Sequence, residues 1–353
     1  MENLTKQDIR ALSLGELESF FESIGEKVFR AKQVYNWLWQ KSVFSFNEMT
    51  NISKTTRLIL EKNFFINNIL IDFQQKSKDG TIKNSVKLHD GLVVESVLIP
   101  TSKRITACVS SQVGCSLDCS FCATSLLKRM RNLNPDEIFD QVVAIGKQSK
   151  LYYNRALTNI VFMGMGEPLM NYKNVLSAIQ KITEPDSLGI SPKRIILSTS
   201  GIPKMIKKLA DDKVKFGLAI SLHSARQLIR EQIMPFTKKF PLEDLMESLQ
   251  YWYKKTNKPV TFEYVVWEGI NDKQEDIDSL IRFCYKIPSK VNLIQYNSIG
   301  DSKFIQAPQI KLIEYKKALE NAKITVTIRH SRGKDIDAAC GQLANKNNEL
   351  SVV

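Results

Sequence analysis

Glycine and proline are scarce in this sequence, at 15 and 11 of 353 residues. That scarcity excludes collagen-like repeats and a long Pro/Gly-rich disordered tail. No apolar run approaches the roughly 18 residues of a membrane-spanning helix. The opening stretch MENLTKQDIRALSLGELESF is polar from its start and lacks the basic-then-apolar pattern of a secretory signal, so a cytoplasmic protein with no membrane partner is expected. No repeat occurs at solenoid periods. Negative charge is in deficit: 37 Asp and Glu against 50 Lys and Arg leave a net +13 and a pI near 9.3. Such a surplus favours polyanionic partners, nucleic acid first, against the plainer reading of a solvated basic surface. Cysteine is sparse but lopsided: four of six lie between 108 and 122, with Cys284 and Cys340 far away. Without an export signal, clustered thiols point to metal binding or catalysis rather than to a disulfide framework.

What is present has three textures. Residues 1–68 read as a basic helical domain. Leu14, Leu17, Phe20 and Phe21 share one helical face, as do Val28, Val34, Trp37 and Leu38. Lys and Arg interleave with aromatics there, which suits RNA contact and equally a solvated outer face. Residues 69–100 change period into a three-stranded meander. Asp79-Gly80 and Asp90-Gly91 sit at its turns, and the two-residue Asp-Gly hairpin predicts φ > 0 at both central positions. From residue 101 to 334, apolar strands alternate with amphipathic helices. That pattern predicts a parallel sheet with right-handed crossovers, as a barrel or an open partial barrel of six or seven units. A last segment, 335–353, follows the final strand and carries Cys340. In such folds the chemistry sits in loops after the strands.

Cys115, Cys119 and Cys122 form Cys-x3-Cys-x2-Cys just after the first barrel strand. Three thiolates on so short a loop can wrap one metal centre. Structural zinc wants four protein ligands, and none of the nearby residues supplies a fourth. A cuboidal iron–sulfur cluster held by three Cys keeps one iron open for another ligand. Read alone, Cys108 is a buried strand thiol, Cys284 a core residue, and Glu95 a carboxylate exposed on an edge strand.

At Cys115–Cys122, with Phe121 before the last Cys, the chain resembles the radical S-adenosylmethionine (SAM) enzymes. SSQVGCSLDCSFCAT (110–124), FMGMGEPLMN (162–171), LSTSG (197–201), ISLHS (220–224) and DIDAACGQLA (335–344) resemble the RlmN-type methyltransferases more narrowly. FRAKQVYNWLW and DGLVVESVLIP match as well, so the resemblance covers nearly the whole chain. Pro168 and Val113 are closer to this adenine-C2 type than to the related C8 enzymes.

The resemblance implies a partial (β/α)6 radical SAM barrel with an N-terminal helical domain and a linking meander. It implies methylation of adenosine C2 in 23S rRNA, at the peptidyl-transferase centre, and in tRNA, 3′ to the anticodon. The cofactors implied are a 4Fe-4S cluster on Cys115, Cys119 and Cys122 and two SAM per turnover. Gly166, Glu167, Ser198, Ser221, Leu222, His223 and Asn297 match the SAM contacts, and Gly164 belongs to the same glycine-rich turn. Cys340 matches the methylated cysteine, and Cys108 the thiol that resolves the adduct through a transient disulfide. Glu95 matches the proton acceptor, which reverses its exposed reading. An external electron donor such as a flavodoxin completes the set, and a monomer is expected.

The chemistry explains the need. Adenine C2 is electron-poor and cannot displace a methyl from a sulfonium, whereas a carbon radical can add to it. Both catalytic thiols are expected in a partly exposed, electropositive setting, with Arg329, Arg332 and Lys334 nearby. The first rival is the related adenine-C8 methylation of 23S rRNA, and the rival of another class is a non-catalytic RNA-binding protein carrying a structural metal.

Overall fold

The computed structural model describes residues 6–300 and 303–345; residues 1–5, and 346–353 at the end of the expected C-terminal segment, lie outside the described residues. The chain opens with a short strand, β1 (Gln7–Asp8), and the helices α1 (Leu14–Ser23), α2 (Phe29–Trp39) and α3 (Lys54–Asn63). It returns through β2 (Phe64–Phe65), which pairs in parallel with β1. Ser13 and Glu16 form a capping box that starts α1, and Leu17 and Phe21 are buried at helical spacing. On α2 the expected face shifts. Val28 is exposed and Trp37 only half-buried, while Ala31 and Trp39 are buried with Val34 and Leu38. The shift follows from docking: the Trp39 ring meets Phe139 edge-on at 5.2 Å.

Strands β3 (Leu70–Lys76), β4 (Ile82–Lys87) and β5 (Val93–Pro100) make the antiparallel meander. Its turns differ from the two-residue form. Only the glycines take positive φ, +88° at Gly80 and +83° at Gly91. The Gly80 N–H donates to the Ser77 carbonyl (3.0 Å), and the Ser77 N–H to that of Thr81 (2.8 Å). Leu88, Gly91 and Leu92 repeat the pattern. These are three-residue loops ending in a glycine bulge. Asp79 and Asp90 instead accept the N–H two residues on, from Thr81 and Leu92, which holds them in the ordinary negative-φ turn.

The meander continues the barrel sheet, because β5 pairs antiparallel with β6 (Ile105–Cys108). After β6 come the short paired strands β7 (Gln112–Val113) and β8 (Arg131–Asn132), flanking the Cys loop. Then follow α4 (Pro135–Tyr153), β9 (Asn159–Phe162), α5 (Tyr172–Thr183), β10 (Ile195–Thr199), α6 (Pro203–Asp211) and β11 (Gly217–Ser221). The described elements continue with α7 (Gln227–Ile233), α8 (Leu242–Thr256), β12 (Val260–Val266), α9 (Gln274–Cys284), β13 (Ser289–Gln295), α10 (Gln309–Asn321) and β14 (Thr325–Arg329).

Six parallel strands, each followed by helix, and a closing seventh run in the order β6-β9-β10-β11-β12-β13-β14. Among the described residues the sheet ends at β14 on one side and β3 on the other, so the barrel is open. Helix α5 shows the logic of the outer layer: Tyr172, Val175, Ala178, Ile179 and Ile182 form one buried stripe. Strand alternation does the rest. On β12, Phe262 belongs to the core under the helices, while Thr261, Glu263 and Val265 face the barrel interior. The same alternation turns Thr106 and Cys108 of β6 inward. Arg10 ties the N-terminal region to this frame through Asp140 (2.8 Å) and Asp136 (3.4 Å), both on α4.

Candidate active site

The Cys loop is braced before any cofactor binds. Its Ser120 N–H donates to Ile233 O (3.0 Å), and Asp118 accepts the Phe236 N–H (2.8 Å). The Ser125 hydroxyl lies 2.6 Å from the carbonyls of both Cys119 and Cys122. Gly114 begins the loop at φ +74°, where an added Cβ would sit 2.5 Å from the Lys128 carbonyl oxygen. Only glycine fits there. Phe121 packs edge-on against His223, centroids 4.8 Å apart.

Cys115, Cys119 and Cys122 line one cavity of about 160 Å³ at the C-terminal ends of the strands. Burial raises all three thiols, Cys115 to about 12, with repulsion from neighbouring loop cysteines adding to the rise at Cys115 and Cys119 and from Cys340 at Cys122. Three thiolates together therefore need a cationic centre. Among the described residues, no three His, Cys, Asp or Glu side chains converge on a single metal ion. Thiols spread around a cavity suit a multi-iron cluster, each on its own iron, better than one zinc.

Ser198, Ser221, His223 and Asn297 line the same cavity. Leu222 does not: its side chain is fully buried in the hydrophobic core. Asn297 donates from Nδ2 to the Cys340 carbonyl (3.2 Å), leaving its buried Oδ1 with no hydrogen-bond partner. An orphaned buried acceptor facing a cavity fits a ligand that brings a donor. His223 has φ +58° and accepts the Val265 N–H at Nδ1 (3.2 Å). Burial, then the nearby Arg230 charge, depress it to about 3, so the imidazole is neutral. Glu167 is buried and accepts the N–H groups of Leu169 (3.0 Å) and Ser200 (2.8 Å). Burial raises its pKa and those bonds oppose the rise. Each oxygen keeps a lone pair for an ammonium group. Gly164 and Gly166 are required for another reason than ligand approach. A Cβ on Gly164 would lie 2.7 Å from Val109 backbone, and one on Gly166 2.5 Å from the Gln112 Cβ. They let the β9 loop close on the chain that leads to the Cys loop.

A second cavity of about 410 Å³ fills the barrel interior. Cys340 is exposed and lines both cavities; Cys108 lines only the second. Both are free thiols. The expectation of two partly exposed thiols holds for Cys340 alone. Cys108 is buried, which pushes it up to about 12; the charge of Cys340 adds to the rise and Arg329 opposes it. Arg329 pairs with Glu263 (3.1 Å) and lines both cavities. Arg332 reaches the second, whereas Lys334 lines neither.

Glu95 is buried, not exposed: β5 is an interior strand of the sheet, and Lys83 and the C-terminal segment enclose the carboxylate. It pairs with buried Lys83 at 3.3 Å and accepts the Ala344 N–H at 2.8 Å. It lines neither cavity, so the C-terminal segment covers it here. Sequence reasoning missed Lys83, although the register would have found it: Ser85 faces Glu95, and Lys83 is two residues along on the same face. It also missed Arg230 and Glu263, which nothing in local pattern marks.

An open parallel barrel with a three-thiol loop and a ligand cavity at its strand ends defines the radical SAM enzymes. The family model described as the radical SAM superfamily matches residues 109–284, and that of the ribosomal RNA large subunit methyltransferase N-terminal domain matches residues 7–66. The chain is 63% identical over 347 residues to the probable dual-specificity RNA methyltransferase RlmN of Flavobacterium johnsoniae, covering 98% of this chain and 99% of that one. It is 65% identical to the corresponding protein of Christiangramia forsetii, with 97% of each covered. A crystal structure of a radical SAM methyltransferase from Sphaerobacter thermophilus superposes with a TM-score of 0.90 at 34% identity, covering 96% of this chain and 99% of that one. This chain belongs to the RlmN family of radical SAM methyltransferases. An iron–sulfur cluster and SAM are the cofactors the superfamily implies.

Proposed function

We propose that this protein methylates C2 of adenosine in 23S rRNA and in tRNA, with Cys340 as the methyl carrier. The observation that carries the reading is the place of Cys340, between the cavity of the three cluster thiols and the cavity of Cys108. When bound on Cys115, Cys119 and Cys122, the cluster would supply the electron that lets SAM provide hydrogen-abstracting power, with two SAM used per turnover.

The protein's own groups would act as follows. Glu167, Ser198, Ser221, His223 and Asn297 hold SAM in the first cavity. Cys340, exposed and near Arg329, accepts the methyl on sulfur. The carbon then attaches to the base, which must leave its stack to reach the barrel. Cys108 attacks the Cys340 sulfur, and the sulfur–carbon bond breaks toward the carbon on the base, which takes a proton. The Cys108–Cys340 disulfide left behind is returned to thiols by a two-electron reductant, while an external donor such as a flavodoxin feeds the cluster. Before it attacks, Cys108 must lose its proton, and Arg329 is the cation placed to favour that loss. Glu95 takes the C2 proton. For that, Ala344 must release its carboxylate and the segment above it must shift. Lys83 keeps the buried carboxylate paired meanwhile.

The test is anaerobic turnover on an unmodified rRNA fragment and on tRNA, with product nucleosides identified by mass spectrometry against C2- and C8-methyl standards. 2-Methyladenosine from both is expected. 8-Methyladenosine, or a loaded enzyme that cleaves SAM and methylates neither RNA, would overturn the reading.

A further inference from the structure

Arg230, on α7, is fully buried, and among the described residues no carboxylate pairs with it. Its guanidinium donates only to backbone carbonyls: Nε to Leu222 (3.2 Å), and Nη2 to Ser200 (2.7 Å) and Ser221 (3.4 Å). Nη1 is buried with no hydrogen-bond partner. Carbonyls satisfy donors but carry no net charge, and a buried charge without a counter-ion is strongly disfavoured. Burial lowers the Arg230 pKa to about 10, and the group opposing that is Cys119 of the thiol loop.

The surroundings say where the missing negative charge belongs. Ile233 of the same helix accepts the Ser120 N–H, and Phe236 just beyond it donates to Asp118, so α7 is the bed on which the Cys loop rests. The carbonyls Arg230 holds lie at the C-terminal ends of β10 and β11, beside Ser198 and Ser221. One cation thus stands behind the thiol loop and clasps the two loops that carry the SAM candidates.

We propose that Arg230 is the built-in counter-charge of the iron–sulfur cluster and the positioning residue that fixes the two SAM loops against it. The inference rests on the reading that Cys115, Cys119 and Cys122 hold a [4Fe–4S] cluster. A cluster bearing three thiolates is net negative in its oxidised form, and reduction by the external one-electron donor adds a further negative charge. A fixed cation nearby favours the reduced form, and a low-dielectric site magnifies the effect.

The test reconstitutes the full-length chain anaerobically and titrates the cluster's reduction by electron paramagnetic resonance, with SAM affinity measured on the same samples. Arg230→Gln and Arg230→Met should shift the midpoint to more negative potential and weaken SAM binding several-fold. Arg230→Lys, which keeps the charge, should restore most of the potential while SAM binding stays weaker, because a single nitrogen cannot stand at both the Nε and Nη2 positions from which the guanidinium holds the Leu222, Ser200 and Ser221 carbonyls. A fully loaded Arg230→Gln protein with the wild-type potential would overturn the counter-charge. If the neutral variants do not fold, the Lys variant decides alone: its potential should fall as pH rises through the buried lysine's pKa, and a profile parallel to wild type would refute the idea. A wild-type chain that loads no cluster would overturn the cluster reading and this inference together. A wild type that loads while the Gln variant is unchanged would overturn the inference only.

Discussion

The two cavities that share Cys340 differ in the charge of their walls. The first is walled by three thiols and Glu167, with hydroxyls and an amide between them, and shares the Arg329–Glu263 pair with the second. The second has Arg104, Lys290, Arg329 and Arg332 on its walls and a single carboxylate, Glu263, already paired with Arg329. An anionic pocket suits a cationic metal centre and the ammonium and sulfonium of SAM. A cationic one suits a polyanion, and its wider volume suits a base and its phosphates. Placing the carrier cysteine at the join lets one sulfur face both without either ligand crossing the other's site. Of the chain's net +13, residues 1–68 carry only +1, nine Lys and Arg against eight Asp and Glu, so the basic character expected of the helical region lies elsewhere, in part on the walls of the second cavity.

Several variants would break or sharpen this division. The largest effects belong to the first cavity. Cys119→Ala should abolish cluster loading, SAM cleavage and product, checked by iron content and 5′-deoxyadenosine release. Cys340→Ala should also abolish product and lose the one-methylene mass increase on its peptide, yet it should keep the cluster, because its sulfur serves transfer rather than assembly. If both variants lose the cluster, the two cavities are not separable.

Cys108→Ala is expected to stop at one turnover and to trap a covalent RNA adduct through Cys340. A ribonuclease-sensitive shift on a denaturing gel would reveal it. Free methylated RNA at the wild-type rate would reduce Cys108 to a strand residue.

Next comes the buried pair behind the site. Lys83→Met strands the Glu95 carboxylate and should cost about 3–5 kcal/mol of stability, read in denaturant unfolding. Lys83→Met with Glu95→Gln should recover much of that. A single-variant loss below about 1 kcal/mol would mean that the pair is solvated, as surface pairs are.

At the exposed end of the second cavity formed by the N-terminal ends of β6 and β13, Lys290→Glu or Arg104→Glu should weaken RNA binding and reduce the slope of log affinity against log salt by roughly one per lost phosphate contact. SAM cleavage should be untouched. An unchanged slope would move RNA docking elsewhere.

The smallest effect concerns the tie between the helical region and the barrel. Burial raises Asp136 from its ordinary 3.8 to about 7, against the pull of Arg10. A carboxyl whose folded pKa is raised contributes stability present below its unfolded pKa and lost as pH rises through its folded one. Thermal stability should therefore decline between about pH 4 and pH 7 through this group, and Asp136→Asn should flatten that part of the profile. An identical profile in the variant would show that Asp136 is already ionised beside Arg10.

Much of this molecule was legible in its residues. The alternation of apolar strands and amphipathic helices is a local, periodic signal, and so are the Cys spacing and the Asp-Gly turns. Each depends on neighbours within one turn or one hairpin. Even there, detail escaped: the turns kept Asp79 and Asp90 at negative φ, because their carboxylates bond the backbone two residues on. Local pattern also told nothing about which side of β5 would meet water. Glu95 alternates correctly for an exposed edge, and it is buried only because Lys83 of β4 lies beside its carboxylate and the 344 backbone lies over it.

What the sequence determined by itself was the set of elements, the three-thiol loop and the surplus of positive charge, since these follow from composition and short-range spacing. Tertiary structure alone decided which distant residues share a cavity. It brought Cys340 to Cys108 across the barrel, covered Glu95, gave Lys83 its partner and left Arg230 buried without one. Those outcomes depend on the dielectric and charge around each group, and these exist only once residues far apart in the chain have excluded water together.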